Sequence, residues 1–244
     1  MSRIVKIYPN FETLSRIAAE MFVSIGNEAI RKHGQFTVAF AGGSTPKSLY
    51  ELLATKQFQD KIYWKSVFFF FGDERNVSPD DEGSNFKMAN KTLLEPLNID
   101  NDKIYRWETG LEIPEKIAEE YADSIEFFFR GSPNFDLILL GMGDDGHTAS
   151  LFPFTAALNE NEKIAVANYV EKLKTTRLTL TFPAINNAAN ILFLVSGANK
   201  AEILREVLEG EFQPEKFPSQ KVNHGNGDIY WLIEANAAQK LSKF

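Results

Sequence analysis

Residues 135–153 read FDLILLGMGDDGHTASLFP: an apolar run that breaks at Gly141 into glycines, acids and a single histidine, His147. A run with so little polar interruption suits a strand buried on both faces, as in a parallel sheet covered by helices. The same grammar recurs along the chain. FTVAF (36–40) runs into AGGSTP, VFFFF (67–71) into GDER, and ILFLV (191–195) into SGANK. RIVKIY (3–8), RLTLTF (177–182) and IYWLI (229–233) are further candidate strands.

Helical patterns lie between these runs. After Asn10, a suitable N-cap, Phe11, Leu14, Ile17, Ala18, Met21, Phe22, Ile25, Ala29 and Ile30 recur at helical spacing until Gly34 stops them. KSLYELLA after Pro46, NFKMANKTLLEPL, PEKIAEEYADSIEFFF and ANKAEILREVLEG repeat the pattern. Strand and helix in alternation imply an α/β fold: a doubly wound, mainly parallel sheet with helices on both faces, Rossmann-like.

The chain has 244 residues, 44% of them hydrophobic, and no internal repeat or composition shift divides it, so one domain over 1–244 is expected. Its 26 basic and 33 acidic residues leave a net charge of −7, which argues against nucleic acid or an anionic membrane as the main partner. An anionic small molecule is still compatible, because a few local donors suffice to bind it. Without cysteine, disulfides, thiolate metal sites and cysteine nucleophiles are excluded. The opening MSRIVKIYPNFETL lacks a signal pattern and no apolar run approaches the ~20 residues of a membrane span, so a cytoplasmic protein is expected. The polar stretch 209–228 reads as a surface connection.

Loops that leave the carboxyl ends of parallel strands share one edge of the sheet, where ligands bind beside the reversal of strand order. Four unusual loops therefore point to one crevice. In AGGSTP, Gly42 and Gly43 let backbone approach a ligand, Ser44 or Thr45 can cap, and the following helix offers its N-terminus to an anion. Two glycines alone fit an ordinary strand-to-helix turn better than an anion site, and the Walker and GxGxxG spacings are absent. Lys200, in SGANK, falls at a helix start, where a bare cation opposes the helix dipole and a bound phosphate reverses the sign. GDER holds Asp73, Glu74 and Arg75 at the core edge, either as a structural ion pair or with Arg75 as a donor fork for a carboxylate, a lactone oxygen or a phosphate.

His147 reads either as a general base or as the cap of a helix starting near Thr148. A base needs an orienting partner, and Asp145 or Asp73 can supply it. His33, before Gly34, and His224, in the long loop, are too dispersed to form a metal site with it, and neither metal nor cofactor is expected. No GxSxG elbow supplies a serine nucleophile.

Together AGGSTPKSLYELL, FFGDERNVSPDDEGSNFKMA, FDLILLGMGDDGHTASLFP, RLTLTFPAINNA and FLVSGANKAEILREVLEG resemble, in this order, the glucosamine-6-phosphate isomerase/6-phosphogluconolactonase family. The resemblance spans about Val38 to Gly210 and departs at Ser78, where proline is common. It implies hydrolysis of 6-phospho-D-glucono-1,5-lactone, a step of the oxidative pentose phosphate pathway, without a cofactor. It makes His147 the acid/base, Asp145 its neighbour and Arg75 a cation beside the substrate. Gly43, Ser44, Thr45 and Lys200 resemble the phosphate pocket, and Arg177 resembles an arginine that precedes the RLTLTF-type strand. On a parallel strand, however, Arg177 would lie at the far edge of the sheet.

In the deaminase branch the segment after the histidine resembles GHIAFNEP, with a glutamate that carries protons during ring opening. Here that position is Phe152. Lactone hydrolysis is therefore favoured, with a sugar-phosphate deaminase and a non-catalytic sugar-phosphate-binding module as the alternatives.

Overall fold

A computed structural model describes residues 3–110, 113–223 and 227–244. Its strands are β1 (Arg3–Tyr8), β2 (Phe36–Phe40), β3 (Val67–Phe71), β4 (Asp73–Arg75), β5 (Leu137–Leu140), β6 (Ala165–Val170), β7 (Thr175–Leu180), β8 (Asn190–Val195) and β9 (Asp228–Glu234). The helices are α1 (Phe11–His33), α2 (Ser44–Leu53), α3 (Asn85–Ala89), α4 (Pro114–Phe129), α5 (Phe182–Asn186) and α6 (Ala201–Glu209).

Six strands form a wholly parallel sheet in the order β1-β9-β8-β5-β2-β3. The uninterrupted apolar runs are its centre: every residue of β2 and of β5 is buried. Phe40, Phe69, Phe70 and Phe71 are shut away with them, each such ring contributing about 1.5–3 kcal/mol of transfer free energy. From β2 the chain first adds β3 on one side and then β5 on the other. Strand order thus reverses between β2 and β5, and the loops after these two strands, 41–43 and 141–143, face each other across the switch point.

The expected α1 boundaries are observed. Asn10 Oδ1 accepts from the Thr13 N–H at 2.8 Å, and Gly34 closes the helix at φ 83°. His33, its last residue, sits 2.9 Å from Asp136 on the opposite side of the molecule's chemistry, while His224 lies outside the described residues.

RLTLTF departs from expectation. β7 is not in the parallel sheet: it runs antiparallel between β4 and β6 in a second, three-stranded sheet. Its polar and apolar residues alternate, unlike the continuous runs of β2, β3 and β5, and its second half is buried on both faces, with Thr179 as enclosed as Leu178 and Leu180. Gly72 joins the two sheets, donating its N–H to Phe40 O of the first and accepting from Leu180 N of the second. This rearrangement carries Arg177 to the site edge, directly opposite Arg75 in the β4–β7 register.

Candidate active site

The first wall of the crevice is made of backbone. After β2, Tyr50 of α2 reaches back so that its hydroxyl accepts from Ala41 N at 3.0 Å and donates to Ala41 O at 2.9 Å, fixing the start of the glycine loop. Gly43 then takes φ 101°, a left-handed-side conformation costly for any residue with a Cβ, and serves as the N-cap of α2 without a side-chain bond. Neither Ser44 nor Thr45 caps the helix, contrary to expectation. Both are helical residues of its first turn, where N–H groups have no intrahelical acceptor. Thr45 Oγ1 instead meets Ser196 Oγ at 2.8 Å, tying this loop to the one after β8.

Lys200 is the residue before α6, as expected, and its ammonium lies 2.6 Å from Asp144 Oδ1. That hydrogen bond and its charge lower the Asp144 carboxyl below its ordinary value. Gly42, Gly43, Ser44, Thr45 and Lys200 line one cavity of about 440 Å³, and Lys200 also borders the next.

The second wall comes from side chains on the small sheet. Asp73 Oδ2 accepts from Ser150 Oγ at 2.7 Å and Oδ1 from Asn85 Nδ2 at 3.2 Å, so this carboxylate fastens α3 and the histidine loop to β4. Glu74 is a buried cap: it accepts the N–H groups of Asn85 and Phe86 at the start of α3 at 2.7 and 2.8 Å. Burial raises its carboxyl above the ordinary value, against the pull of those backbone donors. Arg75 donates to Gly83 O at 2.5 Å and faces the cavity beside Arg177.

His147 stands between the walls, on a turn rather than at a helix start. No helix follows it; Thr148 and Leu151 form an isolated bridge, and Ala149 is held at φ 47°. A left-handed alanine costs about 1–2 kcal/mol, and the bonds of Ser150 to Asp73 and Thr179 offset it. Gly143 is required by contact: a Cβ there would come within 2.1 Å of the His147 ring.

Of the two possible orienting acids, Asp145 is the partner, with Oδ1 2.5 Å from His147 Nδ1. The contact assigns the proton to Nδ1 and leaves Nε2 with a free lone pair. Lys172, on the β6–β7 turn, donates to the other oxygen of Asp145 at 3.2 Å. Burial works against the Asp145 charge, but His147 and Lys172 outweigh it and hold this carboxyl well below the usual range. Phe152 lies under the imidazole, ring centroids 4.0 Å apart.

Two connected lobes meet at His147. One, of about 240 Å³, includes Gly42, Gly43, Gly143 and Lys200; the other, of about 280 Å³, includes Arg177 and Lys172, and Asp73 and Arg75 border both. All ten expected site residues therefore border one composite crevice. The long polar loop is more than a surface connection: Ser219 donates from both N and Oγ to Gly146 O, at 2.9 and 2.8 Å, and Phe217 packs under Gly146. Tyr50, Ser150, Lys172 and Ser219 were not legible as site residues, since only tertiary folding brings them there.

The fold agrees with comparison to known proteins. The family described as glucosamine-6-phosphate isomerases/6-phosphogluconolactonase matches residues 9–231, and this chain belongs to it. A 6-phosphogluconolactonase of Nostoc sp. is 37% identical over 99% of this chain and 100% of its own. The structure of 6-phosphogluconolactonase from Trypanosoma cruzi superposes with a TM-score of 0.87 at 27% identity, covering 99% of this chain and 97% of that one. A monomeric glucosamine-6-phosphate deaminase shares the fold at a TM-score of 0.83 and 23% identity, covering 97% and 99%.

Proposed function

We propose that this chain hydrolyses 6-phospho-D-glucono-1,5-lactone to 6-phosphogluconate in the oxidative pentose phosphate pathway, with His147 as the general base. The observation that carries the reading is the His147 environment: Asp145 occupies Nδ1, Nε2 has no hydrogen-bond partner among the described residues, and the ring stacks on Phe152, the position where the deaminase-type segment has a glutamate. Full-length similarity to named lactonases supports it, while the fold alone does not separate lactonase from deaminase.

The phosphate is placed on the Gly43–Thr45 backbone and Lys200, where helix dipole and ammonium favour an anion. Anchoring there spans the ring across the crevice towards His147, converting remote binding into attack geometry. His147 Nε2 takes a proton from water as the water oxygen bonds to C1. The carbonyl electrons move onto oxygen, and Arg75 stabilises that oxyanion. Collapse breaks the C1–ring oxygen bond, and His147 returns its proton to the departing oxygen, which becomes the C5 hydroxyl. The new carboxyl then ionises at neutral pH. Asp145 keeps the imidazole oriented and stabilises its charged form, and Asp73 holds Ser150 and β4 in place for the reaction.

The test follows base consumption with freshly prepared lactone at fixed pH, corrected for spontaneous opening, alongside ammonia release from glucosamine 6-phosphate. Rapid lactone turnover without ammonia is expected. Ammonia release would move the chain to the deaminase branch, and ligand protection against heat without turnover would make it a binding module.

A further inference from the structure

Arg177 holds the least satisfied polar group of the crevice. Its Nε is fully enclosed and has no hydrogen-bond partner among the described residues, although native structures rarely leave a buried donor unpaired without a functional reason. Arg75 stands opposite it across the β4–β7 ladder, so two like charges share one wall. Among the described residues neither guanidinium has an ion-pair partner. Nearby carboxylates do not serve: Asp73 is engaged by Ser150 and Asn85, and Glu74 by the N-terminus of α3. Burial, and then Arg75, push the Arg177 guanidinium below its ordinary value, with Asp73 and Glu74 pulling the other way. A planar anion between the two forks would satisfy the donor and relieve the repulsion at once.

The position of His147 says which anion. The imidazole stands where the lobe of Lys200 and the glycine loops meets the lobe of Arg177; Arg75 lines both, and Arg177 lines the second without the first. In the proposed reaction the phosphate belongs to the first lobe. Charge develops at C1, beside the imidazole, and hydrolysis leaves there a carboxylate where the substrate has an uncharged ester. We propose that Arg75 and Arg177 form a carboxylate subsite that grips the newly formed C1 carboxylate, making the enzyme strongly inhibited by its own product. This inference rests on the lactonase reading and adds regulation to it.

The experiment compares two ligands by titration calorimetry on the wild-type chain: 6-phosphogluconate, and sorbitol 6-phosphate, which carries the same phosphate but a hydroxymethyl group at C1. About tenfold or greater preference for 6-phosphogluconate is expected, the ratio associated with one charge-assisted hydrogen bond. Arg177→Gln should remove most of that preference while leaving sorbitol 6-phosphate affinity unchanged, and Arg177→Lys, which keeps charge without the fork, should retain part of it. Equal wild-type affinities overturn the subsite, as does a preference that survives in Arg177→Gln. If that variant weakens both ligands equally, the pair holds phosphate and the subsite is overturned too. If neither ligand binds the wild type, the sugar-phosphate reading itself fails, an outcome distinct from all the others. The wild-type comparison stands even if a variant does not fold.

Discussion

The two walls of the crevice are made in different ways. The Gly42–Thr45 wall is backbone at the ends of parallel strands and helix starts, held by Tyr50 behind it. The Arg75–Arg177 wall is side chains on a small antiparallel sheet grafted on at Gly72. Backbone donors and a helix dipole suit an anion that must stay put, whereas side chains suit a centre where charge appears and disappears. His147, on the loop between the walls, is where the two functions meet. Anchoring and chemistry should therefore be separable by mutation: changes at His147 act on turnover, and changes at Lys200 act on binding.

The largest break is His147→Ala. Loss of the general base should lower kcat by about 10²–10⁴ while KM changes little, because the phosphate wall is untouched. Steady-state kinetics on a variant with a wild-type circular dichroism spectrum checks this. Unchanged kcat would leave His147 a structural residue of its turn.

Gly143→Ala sharpens the same division with a smaller effect. The added Cβ would overlap the imidazole at 2.1 Å, so the ring must shift from Asp145, and the three nearest atoms it meets all belong to that ring. Displacement of a catalytic group by about 1 Å costs on the order of 10²-fold, and kcat should fall by about that factor at nearly constant KM. A rise in KM with kcat preserved would show that the histidine loop anchors substrate instead.

The contrast between the walls also governs what the sequence discloses. Each loop of the backbone wall follows a continuous apolar strand, so AGGSTP and SGANK were readable from local pattern, as was the position of His147. The side-chain wall depends on which sheet a strand joins. RLTLTF looked like one more parallel strand, and Arg177 then belonged at the far edge; only its period-two alternation hinted at an antiparallel place beside β4. The choice between Asp73 and Asp145 was equally closed, since both lie at strand ends. It is decided by tertiary partners, with Ser150 and Asn85 claiming Asp73 and leaving Asp145 to the histidine. Ser219 lies 73 positions from Gly146 in sequence, beyond any local pattern.

The smallest expected effects test whether the backbone wall is really the anion wall. Lys200 is largely enclosed, with 17% of its side chain exposed, and its partner Asp144 is 76% exposed. A phosphate approaching Lys200 must displace Asp144 or tolerate its charge. Lys200→Ala removes a charge-assisted bond and should raise KM by about tenfold or more, with kcat nearly unchanged. Asp144→Asn should act oppositely and weakly. Partly exposed ion pairs contribute about 0–1 kcal/mol, so freeing the ammonium lowers KM by no more than about fivefold. The two changes share a contact and should not be additive: in the Lys200→Ala background, Asp144→Asn should leave KM where it is. If Asp144→Asn raises KM instead, Asp144 aims the ammonium at the substrate rather than competing with it. If it lowers KM equally in both backgrounds, it acts through the general field of the crevice, and the division between an anchoring wall and a reacting wall loses its sharpest support.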